Sequence, residues 1–216
     1  PVGAGGGALI FDPGFPHRAR RAGGVGEGVT THPRLDQIAR AIQDGVHASE
    51  AIAAYTLALF ASASSEDKRQ LCLKAGADAV VNTRSEDWRG EVKAAAGDKG
   101  TVDVVFDPVG GDMTDPAFRT LGYDGRYLVI GFTGGIGSLK TNLPLVKTAS
   151  LIGVQLRAFG EAERAKADAN FAKVLELAGK GLLRPVIGKV YAFDDYRAAM
   201  DAAFKGEGAG RVVMKV

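Results

Sequence analysis

The chain has 216 residues, of which 46% are hydrophobic and 24% are charged, ordinary values for a globular protein of one domain or slightly more. Its net charge of +2 comes from interspersed acidic and basic residues rather than a basic block, which argues against a nucleic-acid-binding surface. No apolar stretch approaches the ~20 residues of a membrane-spanning helix, and residues 1–8 lack a signal-peptide pattern, so we expect a cytoplasmic protein with no membrane partner.

The chain offers few metal ligands. Its histidines, His17, His32 and His47, are far apart, and the sequence has no Cys-x-x-Cys or His-x-x-x-His pair, so we predict no metal site. The single cysteine, Cys72, excludes an internal disulfide bond. Cys72 lies at helical spacing within EDKRQLCLKAG and is predicted to be a small buried residue.

From Tyr55 onward, apolar runs alternate with amphipathic stretches, the pattern of a parallel sheet with helices on both faces. The predicted strands and extended segments are Tyr55–Ala61, Ala79–Val81, Val102–Phe106, Arg126–Ile130, Leu151–Leu156, Val186–Phe193 and Arg211–Lys215. The predicted helices are Ser65–Lys74, Ser85–Ala96, Pro116–Leu121, Ala162–Ala178 and Tyr196–Phe204. The fold class is therefore α/β, with a Rossmann-like, doubly wound and mostly parallel sheet.

Polar residues predict where two of these helices begin. Ser64, with Asp67 three residues on, matches a capping box before the first helix. Asp115 places a capping oxygen before Pro116, the residue type best suited to the first helical position, and Gly122 predicts the end of that helix.

Residues 1–54 differ from the rest. They are rich in glycine and arginine and are interrupted by three prolines, and only Ala8–Phe11 and Leu35–Ile42 have the pattern of ordered elements. This segment is therefore not a second complete domain.

Two neighbouring predicted strands end in glycines, Gly110-Gly111 after the first and Gly134-Gly135 after the second. In an open doubly wound sheet, ligands bind beyond the carboxyl ends of the strands, where glycine lets the backbone approach closely. Glycine is also the default turn residue, so these four positions have a purely structural explanation as well. Their spacing alone does not decide between the two.

Five motifs occur in order: ASSEDKRQLCLKAGADAVVN, VDVVFDPVGGD, GRYLVIGFTGG, LLRPVIGKVY and GAGRVVMKV. Together they resemble the zinc-independent quinone oxidoreductase branch of the medium-chain dehydrogenase/reductase superfamily, over Tyr55–Val216. The resemblance implies hydride transfer from NADPH to a quinone or activated alkene, between a GroES-like barrel and a Rossmann domain. It also implies a homodimer, because Leu151–Leu156 resembles the edge strand that pairs across a two-fold axis in that family.

The resemblance assigns one group of cofactor-binding residues after the second strand. Ser64 and Ser65 offer hydroxyls and Lys68 an ammonium, and no acidic residue stands at the strand tip to bind a ribose 2′-hydroxyl. That combination suits a 2′-phosphate and hence NADP(H) over NAD(H). The alternative is that Ser64 caps its helix and Lys68 is solvated.

Further residues match positions along the rest of the cofactor. Val109, Gly131, Phe132 and Thr133 match positions beside the ribose and nicotinamide. Thr83 stands where the family usually has a tyrosine near the adenosine, so that contact is lost or weaker here. No catalytic side chain is assigned, because hydride passes directly between nicotinamide and substrate.

The glycine loop that should bind the cofactor's phosphates is not found at its expected place. Counting back roughly 20 residues from Ser64 reaches AIQDGVHASE, which has a single glycine. Gly3–Ala8 fits G-x-G-x-x-A but follows no predicted strand, and Ala22–Gly26 follows PHRARR, which cannot be a buried strand.

Two upstream stretches also resemble parts of the family. Val25–Thr30 resembles a strand of the barrel, and Ile42–Ala54 resembles the segment before the cofactor domain. The chain is thus interpreted as an internally deleted or rearranged member, with a barrel remnant at 1–54 and a cofactor domain at 55–216. We expect an NADPH-dependent quinone or enone reductase; the alternative is a non-catalytic remnant that binds nucleotide weakly or acts through a partner chain.

Such a deletion would leave a gap in the middle of the sheet. In the strand order 3-2-1-4-5-6 the first strand lies between Tyr55–Ala61 and Val102–Phe106. Without it, both would have unpaired backbone groups, at roughly 1–3 kcal/mol for each buried group. We predict that Ala8–Phe11 enters the sheet as a substitute central strand; the alternative is direct pairing of the two flanking strands.

Overall fold

The main structural element is a six-stranded parallel sheet. The computed structural model describes residues 58–181, 183–206 and 208–216, together with the backbone of residues 7–11. The strands of the sheet are β1 (Gly7–Phe11), β2 (Ala58–Ala63), β3 (Ala79–Asn82), β4 (Val102–Asp107), β5 (Leu121–Val129) and β6 (Ser150–Gly153). Their order is β3-β2-β1-β4-β5-β6, the doubly wound order of a Rossmann-like fold, so the predicted fold class is confirmed.

The centre of the sheet is the short strand β1. It pairs in parallel with β2, from Gly7 opposite Ala58 to Phe11 opposite Ser62. On its other side it pairs with β4 over residues 8–10. The prediction that Ala8–Phe11 enters the sheet as the central strand is therefore confirmed, and the alternative of direct pairing between the flanking strands is wrong.

Helices connect the strands and provide the other half of the core. They are α1 (Glu66–Lys74), α2 (Trp88–Ala95), α3 (Thr114–Phe118), α4 (Asn142–Lys147), α5 (Leu156–Ala162), α6 (Arg164–Gly179) and α7 (Tyr196–Lys205). One cluster of buried side chains joins α2, α3 and α4 to the strands; its largest members are Phe60, Trp88, Phe118, Leu121, Tyr127 and Leu143. Cys72 is 1% exposed, which confirms its predicted burial.

Two predicted helix starts are wrong. The residue that caps α1 is Ser65, not Ser64, and its Oγ accepts from the Lys68 amide at 3.4 Å. The predicted helix Pro116–Leu121 begins earlier, at Thr114, because Met113, the last residue of the 3-10 turn before it, already has helical backbone angles. Asp115 therefore lies inside the helix, where it pairs with Arg119 at 2.5 Å instead of capping.

Strand β5 accounts for a further difference. Leu121 opposes Val102 at the start of the β4–β5 pairing, so Gly122 lies within a strand and does not end a helix. The predicted strand Leu151–Leu156 also ends sooner than expected, at Gly153, and Leu156 begins α5.

The two C-terminal strands pair with each other. β7 (Ile187–Ala192) and β8 (Arg211–Lys215) form a separate two-stranded parallel sheet, and α7 supplies the crossover that parallel pairing requires. Both segments were predicted as extended. The predicted domain boundary at residues 54 and 55, the strand start at Tyr55 and the ordered stretch Leu35–Ile42 lie outside the described residues and stay predictions.

We predict that the fold depends on β1. Removing residues 1–14, or placing proline at Leu9, deprives the sheet of backbone donors at its centre, where proline is not tolerated. Cooperative thermal unfolding, followed by circular dichroism, should be lost in both variants. Removing residues 1–5, which precede the strand, is the matched control and should leave the transition in place. A Leu9→Pro protein that melts like the parent chain would contradict the prediction.

Candidate functional site

The strand order changes direction between β1 and β4, since β2 and β3 lie on one side and β5 and β6 on the other. In doubly wound sheets, a crevice opens at such a point beyond the carboxyl ends of the strands. Two groups of the predicted site residues lie at this edge. We call the loops after β4 and β5, residues 108–111 and 130–135, the rim loops, and we call Ser64, Ser65, Lys68 and Thr83 the β2–β3 group.

Backbone hydrogen bonds join the two rim loops. The Gly134 amide donates to the Val109 carbonyl at 2.7 Å, and the Gly111 amide donates to the Gly135 carbonyl at 2.8 Å. The Thr133 hydroxyl donates to the Pro108 carbonyl at 3.3 Å. The structure thus brings Val109, Gly131, Phe132 and Thr133 together in one unit, although they come from two loops.

The rim glycines are required by this contact between the loops. Gly110 and Gly111 have φ angles of +69° and +62°, in the left-handed region that favours glycine. A Cβ on Gly110 would lie 2.7 Å from the Gly135 carbonyl oxygen, and one on Gly111 would lie 2.5 Å from that of Gly134. The structural explanation of these glycines is therefore correct. Because glycine has no side chain, the rim also presents backbone at these positions.

A buried carboxylate holds the first rim loop. Asp107, the last residue of β4, is 1% exposed, and its Oδ1 accepts from the Val109 and Gly110 amides at 2.8 and 2.9 Å. Its Oδ2 accepts a hydrogen bond from the Tyr127 hydroxyl. Burial, and then the bond to Asp107, raise the pKa of Tyr127 well above its usual range, so the phenol stays protonated as a donor.

The sequence prediction missed this pair. The signal that could have found Asp107 is an acidic residue ending a buried apolar strand, because a buried carboxylate needs donors close by. Asp107 immediately precedes the first rim loop, and the rim loops themselves carry no acidic or basic side chain. The rim can therefore bind and orient a ligand through its backbone and through the side chain of Phe132, which is 69% exposed.

The β2–β3 group lies at the ends of its two strands. Ser64 is half-buried beyond β2, and Ser65 caps α1. The Thr83 amide donates to the Ala63 carbonyl at 3.3 Å, which ties the end of β3 to the end of β2. The Lys68 ammonium donates to the Gly206 carbonyl at 3.3 Å, on the exposed surface.

A second cation at this point, Arg69, was also missed. Its Nη1 donates to the Ala63 carbonyl and to Oδ1 of Asn82, both at 3.1 Å, and its side chain is 15% exposed. Its Nη2 pairs with Glu66 at 2.7 Å. Hydrogen bonds from the Gln70 side chain and then from Arg69 hold the pKa of Glu66 below its usual value. Glu66, in the first turn of α1, is thus paired within the protein.

One buried hydroxyl lies between the two groups. Ser62 stands opposite Phe11, the last residue of β1, and is 2% exposed. Its Oγ has no hydrogen-bond partner among the residues that the structure describes. The residues that follow β1, 12–57, lie outside the described ranges. They include every candidate phosphate loop except Gly3–Ala8. Gly7 and Ala8 belong to β1 itself, so Gly3–Ala8 is not a loop that follows the strand.

In the part of the chain that the structure describes, no group of three or more His, Cys, Asp or Glu side chains is arranged to hold a metal ion. Likewise, none of its helices has the length and apolar character needed to cross a membrane.

Comparison with known proteins gives consistent matches. A family profile described as "Zinc-binding dehydrogenase" matches residues 45–177, more than half of the chain. "Quinone oxidoreductase-like protein 2" of Bos taurus is 32% identical over 162 residues, which cover 73% of this chain and 45% of that protein. "Quinone oxidoreductase" of Rattus norvegicus is 28% identical over 201 residues, covering 92% of this chain and 56% of that protein. The chain spans about half the length of these curated relatives.

Solved structures share the fold. The quinone oxidoreductase of Thermus thermophilus, determined also in complex with NADPH, matches with a TM-score of 0.67 at 21% identity, over 98% of this chain and 58% of that one. An NAD-dependent alcohol dehydrogenase matches with a TM-score of 0.68 at 22% identity, over 100% of this chain and 52% of that one.

The strand order and the glycine rim at its switch point define a Rossmann-like domain. The chain belongs to the zinc-binding dehydrogenase family and, within the medium-chain dehydrogenase/reductase superfamily, to the quinone oxidoreductase-like branch. The resemblance given by the five motifs is thereby confirmed. The independence from zinc expected of that branch stays a prediction for this chain.

We predict that the rim tolerates no side chain at Gly111. Gly111→Ala combines a left-handed backbone angle with a contact to the Gly134 carbonyl, and should lower the free energy of unfolding by ~1–3 kcal/mol. Gly160→Ala, in the helix α5 with open space around the new Cβ, is the matched control and should leave stability unchanged or raise it by ~0.5–1 kcal/mol. Urea unfolding midpoints measure both. Equal effects of the two substitutions would show that the loops do not pack as described.

Proposed function

We propose that this chain is the cofactor-binding part of an NADPH-dependent oxidoreductase of the quinone reductase type. The observation that carries the proposal is the placement of the two groups of residues on either side of the β1–β4 switch point, where a dinucleotide would extend from one group to the other. The names of the relatives, and the NADPH complex of one structural neighbour, support the same cofactor and reaction class.

The residues present fit such a cofactor in three respects. The rim loops offer bare backbone and the exposed Phe132, which suits a flat ring and its ribose. Ser62, whose Oγ has no hydrogen-bond partner among the described residues, stands opposite the end of β1, the strand between the two groups, where the phosphates would pass. Beyond β2 stand Ser64, Ser65 and the Lys68 ammonium, with no acidic residue at the strand tip.

In the proposed mechanism the bound reduced nicotinamide supplies a hydride to a quinone or an activated alkene. The rim loops orient the ring end through the backbone of Val109 and Gly131 and the side chains of Phe132 and Thr133. Orientation is the main contribution that a protein makes to a direct transfer. Lys68, which here donates to the Gly206 carbonyl, would hold the 2′-phosphate, and Ser64 and Ser65 would add hydroxyl donors.

NADP(H) is proposed over NAD(H) because an acidic partner for a 2′-hydroxyl is not offered. Glu66, in the first turn of α1, is held by Gln70 and Arg69, and Glu91 accepts a hydrogen bond from the Asn82 amide at the end of β3 at 3.0 Å. Because Glu66 is paired with Arg69, its negative charge is compensated and would repel a nearby phosphate less. The expectation that binding is weaker than in a complete family member depends on residues outside the described ranges and stays a prediction. A cytoplasmic location is part of the same proposal.

A homodimer is the proposed assembly. β6 is the outer strand of the sheet, and Leu151 within it is 47% exposed. An open edge of this kind can pair with a second copy of itself. The Val154 amide donates to the Val129 carbonyl at 2.9 Å, so by alternation along the strand the Leu151 amide faces the open edge.

The second candidate is a non-catalytic domain that binds nucleotide weakly or acts through a partner chain. The observation that favours it is the packing of the rim, since contact between the loops accounts for Gly110 and Gly111 without any ligand. In that case, NADPH and NADH would bind weakly and alike.

We predict that NADPH binds in preference to NADH and that Lys68 is the main source of the difference. Lys68→Gln should weaken NADPH binding about twofold to fivefold, the size of one exposed ion pair, and leave NADH binding unchanged. Lys74→Gln, an exposed lysine in the last turn of the same helix, is the matched control. Isothermal titration calorimetry measures the affinities of the parent chain and of both variants for NADPH and for NADH. Tight NADH binding would overturn the cofactor assignment.

We predict a dimer at micromolar concentration that depends on the amide of Leu151. Leu151→Pro removes an edge donor while remaining tolerable in an outer strand, and should shift the mass measured by light scattering towards the monomer. Leu151→Ala keeps the amide and controls for loss of the side chain. A parent chain that is monomeric at this concentration would contradict the dimer.

A further inference from the structure

The bond between Tyr127 and Asp107 links the core of the sheet to the rim. Tyr127 lies in β5 opposite Val105, and its side chain reaches along the sheet to Asp107 at the end of β4. The phenol is fully buried, and the ring of Phe118 lies 5.8 Å from its own ring, centroid to centroid. Thr114 also hydrogen-bonds the phenol. The hydroxyl that binds Asp107 is therefore held in one place by the core.

We infer that Asp107 and Tyr127 are positioning residues, which fix the first rim loop in the conformation that receives the nicotinamide half of the cofactor. This inference rests on the proposed function. It adds a role for two residues that do not themselves contact the cofactor and that the site prediction did not include.

The hydrogen bonds of Asp107 show how the pair acts on the loop. A buried carboxylate is stable only when several donors compensate for lost hydration, and here the donors are two loop amides and one phenol. Binding consecutive amides fixes the peptide planes before Val109 and before Gly110. The Val109 carbonyl is thereby aimed at the Gly134 amide, so the geometry passes to the second rim loop.

Asp107 and Tyr127 should affect the binding of only one half of the cofactor, the nicotinamide half. Asp107 lies on the β4 side of the switch point, whereas Ser64, Ser65 and Lys68 lie beyond β2, with β1 between them. Disturbing the first rim loop should weaken contacts to the nicotinamide and its ribose and leave the 2′-phosphate contacts intact. A general loss of folding would instead weaken both halves together.

The test compares two ligands, NADPH and 2′,5′-ADP, which has the adenosine and the 2′-phosphate but no nicotinamide. Tyr127→Phe removes a single hydrogen bond, and Asp107→Asn keeps the shape while removing the charge. Each variant should bind NADPH about tenfold more weakly, the effect of one buried hydrogen bond to a charged group, and bind 2′,5′-ADP within twofold of the parent chain.

Thr120→Val is the matched control. Thr120 donates a buried hydrogen bond to the Ala117 carbonyl at 2.7 Å, at the amino-terminal edge of β5, away from the rim. It should leave the ratio of the two affinities unchanged. Equal weakening of both ligands by Tyr127→Phe and Asp107→Asn, or no weakening of NADPH, would overturn the inference.

Amide hydrogen exchange separates this inference from the proposed function. In Tyr127→Phe, the amides of Val109 and Gly110 in the rim loop should exchange about tenfold faster relative to those of Val104 and Val105 in the preceding strand β4. If the parent chain binds neither ligand, the proposed function fails, and the cofactor role of the pair fails with it. The exchange rates then still decide whether the pair holds the loop, and unchanged rates would overturn that as well.

Discussion

A strand at the centre of a parallel sheet must be hydrogen-bonded on both sides, and the rest of this structure depends on how that requirement is met. Strand β1 satisfies it with five residues, pairing with β2 on one side and with β4 on the other. Among the described residues it is the connection between the β2–β3 half of the sheet and the β4–β6 half. The distance between the two groups of site residues is therefore set by the width of this strand.

The fold could be predicted because its signals are local or follow from counting hydrogen bonds. Apolar runs located the strands, and the requirement for a partner between β2 and β4 singled out Ala8–Phe11. Most errors fell at boundaries, where neighbouring residues compete for the same role, and the short helices α4 and α5 were not predicted. Ser64 and Ser65 are equivalent as capping side chains in sequence, and only the path of the backbone selects Ser65.

The site could be predicted less completely, for a different reason. The bond between Asp107 and Tyr127 joins residues 20 positions apart, and it forms only because the register of β4 and β5 brings them together. Arg69 likewise gains its role from the ends of two strands that converge on it. Such contacts form only when the sheet is assembled. The motifs could therefore predict that Val109 and Phe132 lie at the rim, but they could not identify the residues that fix the conformation of the rim loops.

The position of β1 in the sequence has a kinetic consequence. Neighbouring strands β2 and β3, β4 and β5, and β5 and β6 are each separated by one short connection, whereas β1 must meet β2 across residues 12–57 and β4 across a still longer interval. The entropy lost on closing a loop rises with its length, so contacts distant in sequence form late. We expect the two halves of the sheet to form first and β1 to dock last, closing the sheet and bringing the rim loops and the β2–β3 group to their final separation in one step.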